Sequence, residues 1–393
     1  MIEEIKRMLF LKPFYLFFVT VVTFIFDSCV IITLRKPAHS NGIGLIRIDS
    51  IGDFILWLDA AKEFRNLYPN AKITLIANHV WSDLAMLLPY WDDVIPVDRK
   101  KFTRNFLYRF KTLRQIRQIG FELAIQPTFS REYLRGDSLI RASRASSRIG
   151  SKGDLSNITV WQKNISDKWY SQLIPAAAEP LMELQRNAEF MRGLGLRNFT
   201  AGIPSLPSLA DLPEKLMIEQ PYFIIFPGAS FSGRQWPVAQ FGRFLSELTA
   251  AQGWRAVLCG SREEHSLCAQ FIQTSGIEAT NLAGKTSLSE LVEVIRRAKL
   301  LVGNETSAVH IAAAVGTPSV CILGGGHYGR FMPYVVNCAN QPIPVPVVHR
   351  MNCFGCNWQC TQPHDKDVAM PCISAITIDQ VIEAIERIFA SRA

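Results

Sequence analysis

The stretch Leu300–Gly326, LLVGNETSAVHIAAAVGTPSVCILGGG, constrains the fold of this chain more than any other. Its pattern predicts a buried strand over Leu300–Val302, a small polar turn over Gly303–Ser307 and a short Ala-rich helix over Ala308–Val315. Gly316-Thr317-Pro318 stops that helix, and a second buried strand, Ser319–Leu323, runs into a triple glycine. A strand feeding a helix through such a turn leaves the helix's first N–H groups unpaired and aimed into the turn. With the helix dipole they make an anion site suited to a diphosphate. Every α/β domain has strand-turn-helix units. Here His310 stands on the first helical turn beside Glu305 and Thr306, polar groups that a plain connector does not need.

Length and charge narrow the setting. A chain of 393 residues is long for one core, and two domains of ordinary size are expected. Hydrophobic content of 48% and charged content of 19% describe a globular protein with some membrane attachment. The formal net charge of +8 implies an anionic partner. No zinc-finger or RNA-recognition signature accompanies it, so lipid and sugar phosphates lead and nucleic acid does not.

Residues 1–36 read as a membrane-associated hydrophobic segment. Lys6, Arg7 and Lys12 precede the apolar run Phe14–Phe26, and after Asp27-Ser28 a second run, Cys29–Leu34, ends at Arg35-Lys36. The combined stretch is long enough to cross a bilayer, which takes ~20 apolar residues. Asp27 is awkward inside a span and easier in a helix lying in the interface, with its basic flanks on anionic lipid. No convincing small-x-small cleavage site follows, and basic residues on both sides give no orientation.

The first domain, 37–205, opens with the strand Ile43–Ile48, the turn Asp49–Asp53 and the amphipathic helix Phe54–Tyr68. This is a nucleotide-binding half-fold without GxGxxG, which disfavours a dinucleotide-dependent dehydrogenase. Strands are predicted over Lys72–Ala77, Val94–Val97 and Leu123–Gln126. Between the last two, Arg99–Arg117 holds no acid, and Leu107, Phe110, Leu113 and Ile116 recur at helical spacing. That predicts one basic amphipathic helix meeting anionic lipid or acceptor phosphates, at about 1 kcal/mol per close cation. Ser151–Gln172 yields no predicted element, Pro180–Leu194 reads as a helix, and the Pro-rich stretch Phe199–Gln220 carries the linker, set at 206–221.

The second domain, 222–376, starts with the strand Tyr222–Phe226, the turn Pro227–Ser230 and the helix Val238–Ala251. Arg255–Cys259 is its next strand, followed by Gly260–Glu264, the segment LAGKTS and the helix Leu288–Ala298. Cys353-x2-Cys356-x3-Cys360-x11-Cys372 matches no standard finger or ribbon. A structural zinc, disulfides and plain packed thiols all remain open there. Nine cysteines, five of them scattered, suit a reducing compartment.

The motifs together resemble glycosyltransferase family 9, the heptosyltransferases of lipopolysaccharide core synthesis. Glu305 falls on the family's acid, Thr306 on its threonine, His310 on its histidine and Gly316–Pro318 on its Gly-x-Pro. Glu305 stands where the family has Asp, and Ser307 where it has Gly. Arg47, Ser50, Gly52 and Asp53 match a second motif, and Ser230 and Arg234 lie in a third, ahead of Trp236-Pro237.

The resemblance implies an α/β GT-B fold, two Rossmann-like domains facing across a cleft, here with an N-terminal membrane-associated helix. It implies inverting transfer from a nucleoside-diphosphate sugar, ADP-heptose in the family, to a glycolipid or polysaccharide acceptor, with no metal needed for catalysis. Asp53 is the implied general base, since a carboxylate can take the proton of a sugar hydroxyl as the C1–O bond forms. Its rival role is to cap a helix starting at Phe54. Ser230, Arg234, Glu263, Glu305, Thr306, Ser307 and His310 are implied donor contacts, Arg234 neutralising the leaving diphosphate and Glu263 meeting the ribose. Arg47, Ser50, Gly52, Arg131 and Arg135 are implied acceptor contacts. The last helix, Thr377–Phe389 within 377–393, is expected to cross back to the first domain. A sugar-nucleotide enzyme meets its donor in the cytosol, which points to the cytoplasmic face of the bacterial inner membrane, against anionic lipid. Transfer of another activated sugar, and a membrane-attached nucleotide-binding protein without catalysis, are the competing readings.

Overall fold

The computed structural model describes residues 2–34, 42–209, 211–336, 341–365 and 367–390, with side chains from residue 14 onward. Its contacts divide the chain into two compact units: 1–50 with 62–176 and 189–197, and 51–61 with 177–188 and 198–393.

The first unit is built on a six-stranded sheet of β1 (Ile43–Arg47), β2 (Ile73–Asn78), β3 (Asp93–Val97), β4 (Leu123–Gln126), β5 (Ser147–Ser151) and β6 (Gln172–Ile174). The strands run in the order β3-β2-β1-β4-β5-β6, each pairing parallel. The second unit repeats the pattern with β7 (Tyr222–Phe226), β8 (Arg255–Leu258), β9 (Ala279–Asn281), β10 (Leu300–Asn304), β11 (Ser319–Ile322) and β12 (Val345–Val347). Its order is β12-β11-β10-β7-β8-β9, again parallel. Every residue of β1, β2, β7, β10 and β11 is buried, as expected of parallel strands covered by helices on both faces. Both orders are that of a doubly wound nucleotide-binding sheet, whose ligand site lies at the strands' carboxyl ends where the order reverses. In the second unit that point is between β7 and β10.

The last helix, Ile378–Ala390, buries Ile378, Val381, Ala384, Ile385 and Ile388 in the core of the second sheet, with Phe223, Leu300 and Ile322. Residues 198–393, this helix included, belong to the second unit. The stretch left without a predicted element, Ser151–Gln172, holds the helix Val160–Ser166 and the 3-10 turn Asp167–Trp169, and β6 begins at its last residue. That short helix has no apolar periodicity to read, since Val160 and Ile165 are exposed and Gln162 and Ser166 buried, while Trp161 lies 5.5 Å from Phe17 and 6.4 Å from Tyr133.

The N-terminal helix runs unbroken over Ile2–Thr33, and its Phe14–Thr33 portion is long and apolar enough to cross a membrane. One face is nevertheless seated on the first unit. Thr20, Thr23, Asp27, Val30 and Ile31 are buried at helical spacing. Both carboxylate oxygens of Asp27 accept from Arg109, at 2.7 and 2.6 Å, and Arg109 also donates to Ser138 Oγ and to the carbonyls of Phe102 and Leu134. Gln162 donates to Thr20, and Arg141 to Ser28. The other face leaves Phe14, Tyr15, Phe17, Phe18, Ile25 and Ile32 exposed.

The single basic helix predicted over Arg99–Arg117 is two, Arg99–Arg104 and Phe106–Ile119, because Asn105 leaves helical geometry and caps the second by accepting from Tyr108 N. Arg109 and Arg117 turn inward. Lys100, Lys101, Arg104, Lys111 and Arg114 stay exposed beside the exposed Phe106 and Leu107.

Candidate active site

At the reversal point of the second sheet, β10 ends in Asn304-Glu305 and β7 runs into Pro227–Ser230. Asn304 is fully buried and laces these turns together: its Nδ2 donates to Pro227 O at 2.6 Å, and its Oδ1 accepts from Trp236 N at 3.0 Å. The helix Ser307–Val315 starts from Thr306, which is extended and makes no side-chain cap. Its first N–H groups therefore stay available, as the sequence expected of this turn. Thr306 Oγ1 and Glu305 Oε1 are both buried without a hydrogen-bond partner, two polar groups left for a ligand. Arg234 reaches this point from the following loop. Its Nη2 donates to Glu305 O at 2.7 Å and to Glu305 Oε2 at 3.0 Å, and its Nη1 to Ser230 Oγ at 3.2 Å. Ser230, Arg234, Glu305, Thr306 and Ser307 thus come together around one helix start.

Burial pushes the Glu305 carboxyl up to about 7, with Arg234 pulling the other way. His310, one turn along, is 4% exposed, and burial pushes its imidazole down to about 4, so it is neutral near pH 7. Its Nδ1 is 2.9 Å from the Tyr334 hydroxyl, and the two rings stack at 5.9 Å.

The turn after β1 reaches the same place, because residues 51–61 belong to the second unit. A Cβ on Gly52 would lie 3.2 Å from His310 Cδ2 and 3.8 Å from Ser307 Cα. Only a glycine lets the two helix starts come this close without displacement. The helix begins at Ile51, so Asp53 lies inside its first turn and is not the cap that a start at Phe54 implied. There a carboxylate sits favourably in the helix dipole. Its charge is felt by His327, whose own pKa is lowered mainly by burial.

The remaining candidates scatter. Ser50 is exposed at the edge of this turn. Arg47 is fully buried at the end of β1, with Nε 2.8 Å from Asp49 Oδ2. Arg131 is 1% exposed, bonded to Asp167, 3.6 Å from Asp137 and stacked over Tyr170. Both are buried in the first unit. Arg135 keeps some exposure while bonding Glu132 and Thr103. Glu263 is exposed, whereas Glu264 folds back over the turns and accepts from Ser261 N at 2.7 Å. A Cβ on Gly260 would come within 2.7 Å of the Glu264 carboxylate. A Ser-x-x-Glu capping box with Ser261 accounts for the inward fold of Glu264.

Cys353, Cys356, Cys360 and Cys372 are free thiols, and among the described residues no three His, Cys, Asp or Glu side chains are arranged to hold a metal. The four are neighbours all the same: burial raises the Cys372 pKa, and the other three thiols push it the same way.

Comparison with known proteins bears on the family and the fold. The family model of glycosyltransferase family 9 (heptosyltransferase) matches residues 114–354. Lipopolysaccharide heptosyltransferase 3 of Escherichia coli K12 is 25% identical over 305 residues, 73% of this chain and 83% of that protein. Lipooligosaccharide heptosyltransferase 2 of Haemophilus influenzae is 33% identical over 114 residues, so this chain spans only 33% of that relative. The solved structure of E. coli heptosyltransferase WaaC with ADP-2-deoxy-2-fluoro heptose superposes with a TM-score of 0.63 at 16% identity, covering 88% of this chain and 99% of that one. With more than half of its length inside the family model and the fold shared, the chain belongs to glycosyltransferase family 9 and is a glycosyltransferase of the GT-B fold.

Proposed function

We propose that this enzyme moves a heptose from ADP-heptose to a lipopolysaccharide core or related cell-envelope glycan, with inversion at C1. The observation that carries the reading is the packing of Gly52 against His310, which sets the Asp53 turn beside the start of the helix Ser307–Val315. The free N–H groups of that helix, Thr306 Oγ1 and Arg234 would hold the donor's diphosphate and neutralise the charge that grows as C1–O breaks. Asp53 would accept the proton of the incoming hydroxyl. Glu264, or Glu263 after a rotation of the turn, would meet the ribose. Neutral His310, held by Tyr334, would line the sugar's side. The donor follows the relatives' names and the ADP-heptose analogue bound in WaaC.

Replacing Asp53 by Asn tests the base. Transfer should fall by about 10²–10⁴, the usual worth of general-base catalysis, while ADP binding measured by calorimetry stays within a few-fold of wild type. Retained turnover removes Asp53 from that role. A second reading, transfer of a different activated sugar, is favoured by Glu305 and Ser307 standing where the family has Asp and Gly. Calorimetry with ADP-heptose, UDP-sugars and GDP-sugars separates the two. No heat with any of them would favour a non-catalytic protein.

The setting would be the cytoplasmic face of the inner membrane, the exposed apolar face of the N-terminal helix lying in the lipid interface. Cys353, Cys356, Cys360 and Cys372 would have to draw in to hold a structural zinc. One equivalent of metal in the purified protein would support it.

A further inference from the structure

The wall beside Arg234 is built by a segment that the transfer reading does not use. Residues 353–360 lie along the triple glycine, with Gly355 N donating to Gly325 O at 2.8 Å and Asn357 N to Gly326 O at 3.0 Å. A Cβ on Gly324 would come within 2.8 Å of Trp358 Cη2, and side chains at Gly325 and Gly326 would collide with Phe354 and Trp358. The run of three glycines thus makes room for two aromatic rings.

Trp358 is half-buried and held by Arg234, Phe231 and His327. Its ring sits 4.6 Å from the Arg234 guanidinium carbon and meets Phe231 edge-on at 5.9 Å. Its indole Nε1 donates to His327 Nδ1 at 3.1 Å, so the His327 proton is on Nε2, which donates to Asn357 Oδ1 at 2.7 Å. Asn357 and Trp358 have φ of 50° and 61°, left-handed geometry that costs conformational energy and is an outlier for a bulky residue. Strain of this kind persists only where the surroundings over-determine it. On the far side, Glu305 and Ser230 hold the η nitrogens of Arg234, and its Nε is buried without a partner.

We propose that Trp358 is a positioning residue of the donor subsite. With His327 and Asn357 behind it, its ring holds the Arg234 guanidinium in one plane, so that its free N–H edge meets an anionic oxygen without having to be ordered first. This rests on the reading that Arg234 receives the donor's diphosphate.

Calorimetric titration of the full chain with ADP, together with transfer kinetics, tests it. Trp358→Phe keeps an aromatic face and should bind ADP within about threefold of wild type. Trp358→Leu should weaken ADP by about tenfold and raise the donor KM similarly, with kcat at saturating donor little changed. His327→Leu should act in the same direction, and the double variant should be no worse than Trp358→Leu alone. His327→Leu also serves as the test should Trp358→Leu fail to fold. Wild-type ADP affinity in Trp358→Leu, or in His327→Leu, overturns the proposal. Arg234→Gln separates its failure from that of the underlying reading. If Arg234→Gln loses ADP and Trp358→Leu does not, only the positioning role falls. If Arg234→Gln also binds ADP normally, the diphosphate assignment itself is wrong.

Discussion

Glu305 sits where a single carboxyl group can couple proton binding to ligand binding. Its pKa, raised by burial to about 7, means that the folded protein holds this proton more tightly than the unfolded chain does. The resulting stability is present below the unfolded value near 4.5 and is lost as pH rises through about 7. His310 works in the opposite sense: with its pKa pushed down to about 4, it costs stability as pH falls below about 6.5. Comparison with Glu305→Gln isolates the first effect. The thermal midpoint of wild type should fall relative to that variant between pH 5 and 7.5, and parallel curves would refute the shifted carboxyl. A diphosphate arriving beside Glu305 raises its pKa further. ADP binding near pH 7.5 should therefore take up a proton in wild type and not in Glu305→Gln, read as a binding enthalpy that varies with the buffer's ionisation heat.

At the scale of elements, the N-terminal helix and the helix Phe106–Ile119 are held by a buried ion pair. Asp27 and Arg109 are both about 2% exposed, and the guanidinium is saturated by the carboxylate, a hydroxyl and two carbonyls. Removing one partner strands the other. Asp27→Leu should cost about 3–5 kcal/mol in thermal or denaturant unfolding, whereas Asp27→Leu with Arg109→Met should recover most of it. An Asp27→Leu protein as stable as wild type would show that the pair contributes nothing. Asp27 was legible as something foreign to a bilayer span, and Arg99–Arg117 as a run of cations without a local acid. That the one answers the other across 82 residues was not, because no periodicity records a long-range partner. The same limit hid the helix Val160–Ser166, whose Gln162 and Trp161 find partners in Thr20 and Phe17 of the N-terminal helix.

Across the whole molecule, the sheets were the most readable part. Fully buried strands such as Tyr222–Phe226 and Leu300–Val302 announce themselves as unbroken apolar runs, and the Glu305–His310 helix start was visible from residue types alone. Asn304 was not, since a buried amide that ties two turns looks in sequence like any polar turn residue. The burial of Arg47 and Arg131 was hidden for the same reason: a cation's partner, not its type, decides whether it lies in the core. Charge is placed unevenly enough to be tested. Lys100, Lys101, Arg104, Lys111 and Arg114 are exposed near Phe106 and Leu107. The full chain should sediment with vesicles containing phosphatidylglycerol, more weakly as salt rises, and Lys111→Glu with Arg114→Glu should reduce that binding at least tenfold. Equal binding to neutral vesicles would assign the attachment to the apolar face alone, and self-association without vesicles would assign that face to a second copy.

The seating of the first helix bears on how such a protein can be handled. Starting a shortened gene near residue 42 is a customary remedy for a greasy leader, but in this fold it would pull out a structural wedge. Val30 and Ile31 would leave a hole in the first unit's interior, and Arg109 would keep its charge with no counterion. The trimmed enzyme should come out aggregated or easily melted, and detergent around the intact chain is the gentler route.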